Sequence, residues 1–341
     1  MNKGGIDPVD RDGVSTVLGD YRLLLELGHG GTSRVFLAAA HGAGGTGRLV
    51  AVKTIHLHSQ DDPETLAMFL DEAKIAARLI HPNIVETYAT ECVGGIHLIV
   101  MEDLDGVDLD AILRRVCTTL SVGHLRFCLR CVADVLRGLH YLHELVGVDG
   151  SPLGLVHRGV EPGNVFVTYD GRVKLLDFGI AKSSTSLSET RAGLVKGKIA
   201  FMAPEQMLGE VLDRRVDIYT MGAILWHMAT GERLWSGVVD GQIIRRVLAN
   251  DIPRPSTVNR LVDPVLESIT MKALACDRGE RHQTCLDLLS DVEGLLERLG
   301  GVDVDGRLGD YLVGLFSVER GEKALVVERL LAMSGFLDNS V

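Results

Sequence analysis

The sequence lacks a long hydrophobic run and an excess of positive charge, and each absence argues against a class of protein. No apolar stretch in the 341 residues approaches the roughly 20 residues that a membrane-spanning helix needs. Lys and Arg total 35 and Asp and Glu total 46, so the formal net charge is −11. A general nucleic-acid binder needs clustered cations for its phosphate contacts, whereas a single nucleotide needs only a few local groups. The composition therefore argues against the first kind of ligand and leaves the second open.

Cysteine is scarce and scattered. Among the six cysteines, only Cys128 and Cys131 lie close together, inside a helical pattern. Zinc needs about four ligands, usually in two paired sets, so we interpret the cysteines as buried thiols in a reducing cytosol. The N-terminal residues lead into acidic positions and lack the apolar stretch of a signal peptide. We therefore expect a cytoplasmic protein with no membrane span and no nucleic-acid partner.

The N-terminal part of the chain alternates short β-like runs with glycine-rich turns. Apolar residues at helical spacing predict one helix among them, from about Pro63 to Ile80, and Pro82 follows it. The pattern predicts a small β-rich lobe. Its predicted strands are Tyr21–Leu27, Val35–Ala40, Leu49–Ile55, Ile84–Thr90 and Ile96–Glu102.

From Leu109 onward the pattern becomes mainly helical. The strongest stretch is 121–145, which has one apolar face, and helices dominate again from 205 to 299. A small strand-rich insert is predicted over 155–178. The arrangement indicates two lobes with a crevice near residue 103, and crevices of this kind are usual ligand sites.

The tail from 300 to 341 predicts two more helices, of which the second runs from about Glu322 to Ser334. We expect these helices to fold back on the main body rather than to remain free for a partner. The apolar face of the first tail helix consists of Leu308, Tyr311, Leu312, Leu315 and Phe316.

The residues at 1–18 are polar and glycine-rich, which predicts a loose leader.

Two features of the β-rich lobe suit a nucleotide. The loop Gly28–Val35 lies between two predicted strands, and its glycines let the backbone approach a phosphate and offer it N–H groups. Lys53 alternates with apolar residues in a predicted strand, so its ammonium group needs an anion or a carboxylate as partner. Glu72, on the following helix, is the candidate carboxylate.

Two polar residues beside predicted strands suit a metal ion. Asp177 follows the apolar strand Val173–Leu176 and opens an Asp-Phe-Gly triplet. A carboxylate at such a strand end, beside a nucleotide, is a typical Mg²⁺ ligand. Asn164, just before the strand Val165–Thr168, is a candidate second ligand. Each motif alone is common, but the whole set in this order and spacing is specific.

With these motifs in place, the chain resembles a eukaryotic-type Ser/Thr protein kinase domain, of the sort that bacteria also carry. The resemblance covers about residues 19–299. It implies an α+β, bilobal protein-kinase-like fold, in which a small β-rich N-lobe contains the family's helix αC and a larger C-lobe is helical. The expected divisions are a flexible leader at 1–18, the N-lobe at 19–103, the C-lobe at 104–299 and a helical C-terminal extension at 300–341.

The resemblance also implies a role for each matching residue, with ATP and Mg²⁺ as cofactors and Asn164 and Asp177 as the metal ligands. Ala203-Pro204-Glu205 would end the activation segment, and Asp217 and Arg281 match the family's anchor positions in the C-lobe. The expected nucleotide-binding residues are Gly28, Gly30, Gly31 and Val35 of the loop, Ala51, Lys53 and Glu72, the hinge residues Met101, Glu102 and Leu104, and Phe166 against the adenine ring.

The catalytic loop departs from the family pattern His-Arg-Asp-Leu-Lys-Pro-x-Asn. Over 157–164 it reads His-Arg-Gly-Val-Glu-Pro-Gly-Asn. Gly159 stands where the family has the aspartate that accepts the substrate's proton, and Glu161 stands where it has the lysine that faces the γ-phosphate. Glycine cannot take or orient a proton, and a glutamate repels the phosphate that a lysine attracts. We therefore expect no intact catalytic residue, whereas the groups that hold ATP and metal survive.

Three functional hypotheses follow. The first is a pseudokinase that binds ATP and Mg²⁺, is catalytically dead or severely impaired, and regulates or scaffolds Ser/Thr phosphorylation signalling together with other signalling proteins or kinases. The second is an active but atypical Ser/Thr protein kinase in which Glu161, two positions after Gly159 in an extended loop, serves as the base. The third is an interaction module that binds no nucleotide.

Overall fold

The computed structural model describes residues 16–41, 47–56, 62–116, 121–177, 198–300 and 306–333. These residues fall into two compact units. We call the first the sheet unit; its described residues lie within 1–80, 85–105 and 313–341. We call the second the helical unit; it comprises 81–84 and the described residues within 106–312. The predicted leader lies almost wholly outside the described residues, and the four predicted divisions stay predictions.

The sheet unit is built on an antiparallel sheet of six strands in the order β1-β2-β3-β4-β6-β5. Successive side chains of a strand point to opposite faces. One face of β4 therefore carries Val50 and Val52, which are buried in an apolar cluster. The other face carries Leu49, Ala51 and Lys53. The strands are β1 (Val17–Leu18), β2 (Tyr21–His29), β3 (Ser33–Ala40), β4 (Arg48–Ile55), β5 (Thr87–Val93) and β6 (Ile96–Glu102).

The first helix, α1 (Pro63–Ala76), begins at a strong N-terminal signal. The side chain of Asp62 accepts hydrogen bonds from two backbone N–H groups of the first turn, and proline occupies the first helical position. Phe69 and Ala73 pack against the sheet. The helix ends at Ala76, so the predicted extension to Ile80 is wrong: Ile80 is 81% exposed and does not belong to the apolar face.

The strand predicted over Ile84–Thr90 begins only at Thr87. Ile84 instead forms an isolated parallel bridge with Leu175, whose N–H donates to the carbonyl of Asn83. Residues 81–84 therefore belong to the helical unit. The predicted run therefore divides between two pairing partners, since Ile84 pairs with Leu175 and the strand from Thr87 pairs with β6, and periodicity alone does not reveal this division.

The helical unit is organised around one buried helix. Every residue of α5 from Val216 to Thr230 is buried, as expected for a helix at the centre of a core. Gly222 permits close packing there, because a Cβ at this position would lie 2.9 Å from the side chain of Ala273. The helices are α2 (Leu109–Val116), α3 (Val122–His143), α4 (Pro204–Leu208), α5 (Arg215–Thr230), α6 (Asp240–Leu248), α7 (Pro255–Val258), α8 (Pro264–Ala273) and α9 (Cys285–Arg298). A three-stranded sheet contains β7 (Gly106–Asp108), β8 (Val165–Thr168) and β9 (Val173–Leu175).

The tail span, α10 (Gly306–Met333), consists of two helices that meet at a kink, which confirms the two helices predicted. The backbone leaves helical geometry within it at Phe316, where φ is −128° and ψ is 29°. Before this point, the ring of Tyr311 lies 4.7 Å from that of Phe127. Beyond it, Val327 and Leu330 pack on the sheet unit. Within the ranges that the structure describes, none of the helices is both long and apolar enough to cross a membrane.

His227 in α5 should make the folded protein sensitive to acid. Burial, assisted by the nearby charge of Arg233, lowers the pKa of His227 to about 4. The unfolded chain binds this proton near the ordinary value of about 6.5, so stability should fall as pH falls between these values. From pH 7 to pH 5, the contribution of His227 to the free energy of unfolding should fall by about 2 kcal/mol. Urea unfolding at both pH values should show a smaller loss for His227→Gln, whereas His41→Gln, at an exposed histidine, should leave the loss unchanged. An equal loss in the His227 variant would contradict the assignment.

Candidate active site

Lys53 and Glu72 form the ion pair expected from the sequence. The Lys53 Nζ atom lies 2.7 Å from a carboxylate oxygen of Glu72, and only 6% of the lysine is exposed. Strand β4 supplies the ammonium group and helix α1 supplies the carboxylate, so the packing of Phe69 on the sheet brings the two together. The pair fixes a buried cation on the same sheet face as Ala51.

The glycine-rich loop closes the hairpin of β2 and β3. Gly28 pairs with Val35 across the strands, and the N–H of Gly30 donates to the carbonyl of Ser33 at 2.8 Å. Gly31 lies exposed at the tip. Val35 is also the cross-strand partner of Lys53 in β4. The hairpin therefore places the loop directly beside the buried ammonium group, although the contacts of its glycines with a phosphate stay predictions.

The predicted hinge begins in the last two residues of strand β6. Met101 is the cross-strand partner of Ala51 and packs against the cluster that contains helix α1. Glu102 is held on both sides by Glu86: its N–H donates to the Glu86 carbonyl at 3.0 Å, and its carboxylate accepts the Glu86 N–H at 2.9 Å. Leu104 is half-buried just beyond the strand. No local sequence signal predicts that Glu86 fixes the hinge.

In the helical unit, the carboxylate of Asp217 anchors the catalytic loop. One of its oxygens accepts the N–H of His157 at 2.8 Å, and the other accepts the N–H of Arg158 at 2.9 Å. Asp217 is fully buried on helix α5. Burial alone would raise the pKa of Asp217, but the hydrogen bonds that it accepts from the His143 ring and from the backbone N–H of His157 outweigh burial and hold that pKa below its usual range.

His143 is a third donor to this carboxylate, with Nε2 2.8 Å from an Asp217 oxygen. It lies at the end of α3, and its other ring nitrogen faces the Cys285 sulfur at 3.7 Å. His143 is thus held between Asp217 and Cys285 inside the helical unit. No group of three or more acidic, histidine or cysteine side chains suited to a metal ion occurs among the described residues.

The imidazole of His157 links the loop to the residue before Asp177. The N–H of Gly159 donates to Nδ1 at 3.3 Å, so the proton lies on Nε2, which donates to the Leu176 carbonyl at 3.2 Å. Burial lowers the pKa of His157, in agreement with a neutral ring. The arrangement ties the catalytic loop to the strand end that carries the predicted metal ligand.

Asn164 and Asp177 are brought together by the backbone. The carbonyl of Asn164 accepts the N–H of Leu176 at 2.8 Å, which fixes Asp177 one residue further on. The Asn164 amide nitrogen donates to the Gly159 carbonyl at 2.8 Å, so its side-chain oxygen points away from that bond. Mg²⁺ prefers oxygen ligands and commonly takes only one or two from the protein when phosphates supply others. The donor set of these two side chains therefore fits Mg²⁺.

The two altered positions of the catalytic loop alternate with a buried residue. Val160 is 2% exposed, whereas Gly159 and Glu161 are half-buried on either side of it. Glu161 has an extended backbone, with φ −148° and ψ 158°. In extended chain, residues two apart point the same way. Neither position 159 nor position 161 carries the side chain that the family pattern has there.

Left-handed backbone occurs at two site residues that are not glycine. The φ angle is 60° at Arg158 and 44° at Asp177. Such angles cost free energy for residues with a side chain and persist where surrounding contacts enforce them. Here the contacts are the bonds from the loop to Asp217 and from His157 and Asn164 to Leu176.

The other predicted residues lie as follows. Phe166 is half-buried in β8, and its predicted place with Val35 and Ala51 around an adenine stays a prediction. Asp108 accepts the N–H of Ala111 at the start of α2. Phe178 and Gly179 lie outside the described residues, and so do the Ser and Thr residues at 183–190 of the predicted activation segment, 180–204.

The anchor predicted at Arg281 is an ion pair with Glu205. Its guanidinium nitrogens lie 2.7 and 2.8 Å from the two carboxylate oxygens, and both residues are buried. Arg281 also donates to the carbonyls of Ala275, Arg215 and Cys276. One side chain therefore joins the end of the activation segment to helix α5 and to the loop before α9.

These geometries are those of a protein kinase domain, and the family model of the protein kinase domain matches residues 21–297. The chain belongs to this family. Its fold is the protein kinase fold, with a curled β-sheet N-lobe and a helical C-lobe, which confirms the predicted fold class. Among solved structures, it is similar to the kinase domain of PknI from Mycobacterium tuberculosis, with a TM-score of 0.60 and 25% identity over 82% of this chain and 97% of that chain.

Bacterial kinases are also similar in sequence. The tyrosine-protein kinase MasK of Myxococcus xanthus is 38% identical over 317 residues, which cover 92% of this chain and 49% of MasK. The serine/threonine-protein kinase PknB of Mycolicibacterium smegmatis is 33% identical over 281 residues, which cover 80% of this chain and 42% of PknB. The chain thus spans less than half the length of these two relatives.

Proposed function

We propose that this protein is a pseudokinase that binds ATP with Mg²⁺, is catalytically dead or severely impaired, and regulates or scaffolds Ser/Thr phosphorylation signalling. The observation that carries the proposal is the state of the catalytic loop. Its backbone is held by Asp217, His157 and Asn164, yet Gly159 and Glu161 replace the two side chains that accelerate the reaction. The catalytic loop is therefore folded, but the two side chains that accelerate the reaction in the family are absent from it.

The expected sizes of the two effects support a severe loss of phosphoryl-transfer rate. Loss of a positioned general base typically lowers a rate by about 10²–10⁴. Two unit charges about 4 Å apart interact by about 4 kcal/mol at an effective dielectric of about 20, and Glu161 makes this interaction with phosphate repulsive. Phosphoryl transfer depends on the positioning of the reactants and on the stabilisation of charge. Both replacements therefore affect the interactions that accelerate the reaction.

The residues that would hold nucleotide and metal support the binding half of the proposal. Lys53, fixed by Glu72, would face the phosphates, and the backbone of the glycine-rich loop would offer them N–H groups. Asn164 and Asp177 would hold Mg²⁺, which neutralises phosphate charge when it is bound. The partners we propose are other kinases or signalling proteins in the cytoplasm.

Nucleotide titration tests the binding half. In a thermal-shift or calorimetric titration, Mg·ATP at 100 times its Kd should stabilise the purified protein by about 2.7 kcal/mol. Lys53→Met should weaken binding at least about tenfold, because it removes the cation that faces the phosphates. Lys74→Met changes an exposed lysine of the same helix as Glu72 and should have no effect. Absence of any shift in the unchanged protein would leave only an interaction module without nucleotide.

Phosphotransfer tests the other half. The purified protein should transfer no measurable radiolabelled phosphate from ATP to itself or to a generic protein substrate at ordinary kinase rates. Labelling that disappears with Lys53→Met would overturn the proposal.

The alternative is an active but atypical protein kinase with Glu161 as the base. The extended backbone at Glu161 favours it, since residues two apart in an extended chain point the same way. Because MasK is named a tyrosine kinase and PknB a serine/threonine kinase, the acceptor hydroxyls of this alternative include tyrosine. Glu161→Gln should abolish turnover under this alternative and leave a pseudokinase unchanged.

A further inference from the structure

The C-terminal part of α10, residues 317–333, lies against the sheet face that carries the nucleotide residues. Strand register identifies this face: Leu37 is the cross-strand partner of Ala51, and Val35 is that of Lys53. Leu37 packs with Leu330 and its neighbours on α10. The helix therefore covers the positions immediately beside Ala51.

The contact is a buried apolar cluster. Its sheet side consists of Leu24, Leu37 and Ala39, which are 2%, 1% and 0% exposed, with Leu25 and Leu49 partly buried beside them. Helix α1 covers the other end of the same face at Ile55 and Ile99. Ala51 and Lys53 thus lie between two helical covers on one sheet face. The helix contributes Val327, Leu330 and Leu331, which follow one helical stripe.

A second contact links the helix to the hinge. The carboxylate of Asp105 lies 3.6 Å from Nε of Arg320 and 3.8 Å from Nζ of Lys323. Burial raises the pKa of Asp103, and the charge of Lys323 opposes that shift. Ion pairs at such distances on partly exposed groups add little stability, but they set the position of the helix along the hinge. The apolar cluster supplies the stabilisation.

We propose that residues 317–333 are a built-in support of the nucleotide site, which holds strands β3 and β4 and the hinge in their binding geometry. Docking of this segment and binding of nucleotide are then positively coupled. The proposal rests on the proposed nucleotide binding. Release of the segment would expose Leu37 and Leu49 to water and free the strands to move, so that a nucleotide would bind less tightly. Because coupling is reciprocal, bound nucleotide would in turn hold the segment in place.

The test compares two leucines of this helix. Leu330→Asn changes the packed face, whereas Leu325→Asn changes a residue that is 67% exposed. Calorimetry with Mg·ADP should give a Kd raised about fivefold or more for Leu330→Asn and unchanged for Leu325→Asn. In the unchanged protein, saturating Mg·ADP should slow hydrogen exchange of the amides of 324–333 by a similar factor.

A charge variant guards against misfolding of the leucine variant. Arg320→Glu with Lys323→Glu should also raise the Kd, and addition of Asp105→Lys should restore it, whereas Arg329→Glu, at an exposed residue, should do neither. An unchanged or lower Kd in a variant whose 324–333 amides exchange rapidly would overturn the support role alone. Absence of Mg·ADP binding by the unchanged protein would overturn the proposed function, and the support role with it.

Discussion

The double variant Gly159→Asp, Glu161→Lys is expected to gain protein kinase activity, by about 10²–10⁴-fold or more over the unchanged protein. The aspartate would supply the missing proton acceptor, and the lysine would replace repulsion of the phosphate by attraction. Rates of radiolabelled phosphate transfer to a generic protein substrate, measured at saturating Mg·ATP, provide the comparison.

The backbone is suited to this gain. Gly159 does not have a positive φ, so an aspartate requires no left-handed conformation there. Its carbonyl and N–H are already bonded to Asn164 and His157, which would orient the new side chain. Gly163→Asp is the matched control: a Cβ at this position meets nothing within 4 Å, so it adds a carboxylate nearby without placing it at the reaction. Failure of the double variant, with Mg·ATP still bound, would mean that the defect extends beyond these two residues.

Arg281→Met is expected to destabilise the protein by about 3–5 kcal/mol, because it leaves the buried carboxylate of Glu205 without its partner. It also removes three hydrogen bonds to backbone carbonyls. Urea unfolding followed by tryptophan fluorescence should show the loss, since Trp226 and Trp235 belong to the helical unit.

Arg278→Met provides the comparison for this loss. Arg278 lies near the surface, with ion-pair distances of 3.6 and 3.9 Å to acidic residues, so its replacement should cost less than about 1 kcal/mol. Arg281→Lys should fall between the two, because a lysine keeps the charge and loses the two-point contact. Equal effects of the three substitutions would refute the structural role of the Arg281–Glu205 pair.

Local sequence signals predicted much of the fold. The strands of the sheet, helix α1 up to Ala76 and the long helix α3 follow from alternation, helical spacing and capping residues. The ion pair of Lys53 followed from a physical demand, since an ammonium group in an apolar strand requires an anion. Such signals depend on a few neighbouring residues, which is why they can be read without coordinates.

Contacts between residues distant in sequence were the part that could not be predicted. His143 and Asp217 are 74 positions apart, and nothing at the end of α3 specifies which carboxylate its last histidine meets. The tail shows the same limit. Its apolar spacing predicted helices, but the break at Phe316 and the packing of Leu330 on Leu37 depend on surfaces formed elsewhere in the chain.

The hydrogen bonds between Asp217 and the catalytic loop have a consequence for substitutions within that loop. The Asp217 carboxylate accepts hydrogen bonds from main-chain N–H groups, which every amino acid except proline has. These two bonds therefore hold the loop whatever side chains positions 159 and 161 carry. Substitutions at these two positions alter the chemistry that the loop offers and leave its backbone bonds to Asp217 in place.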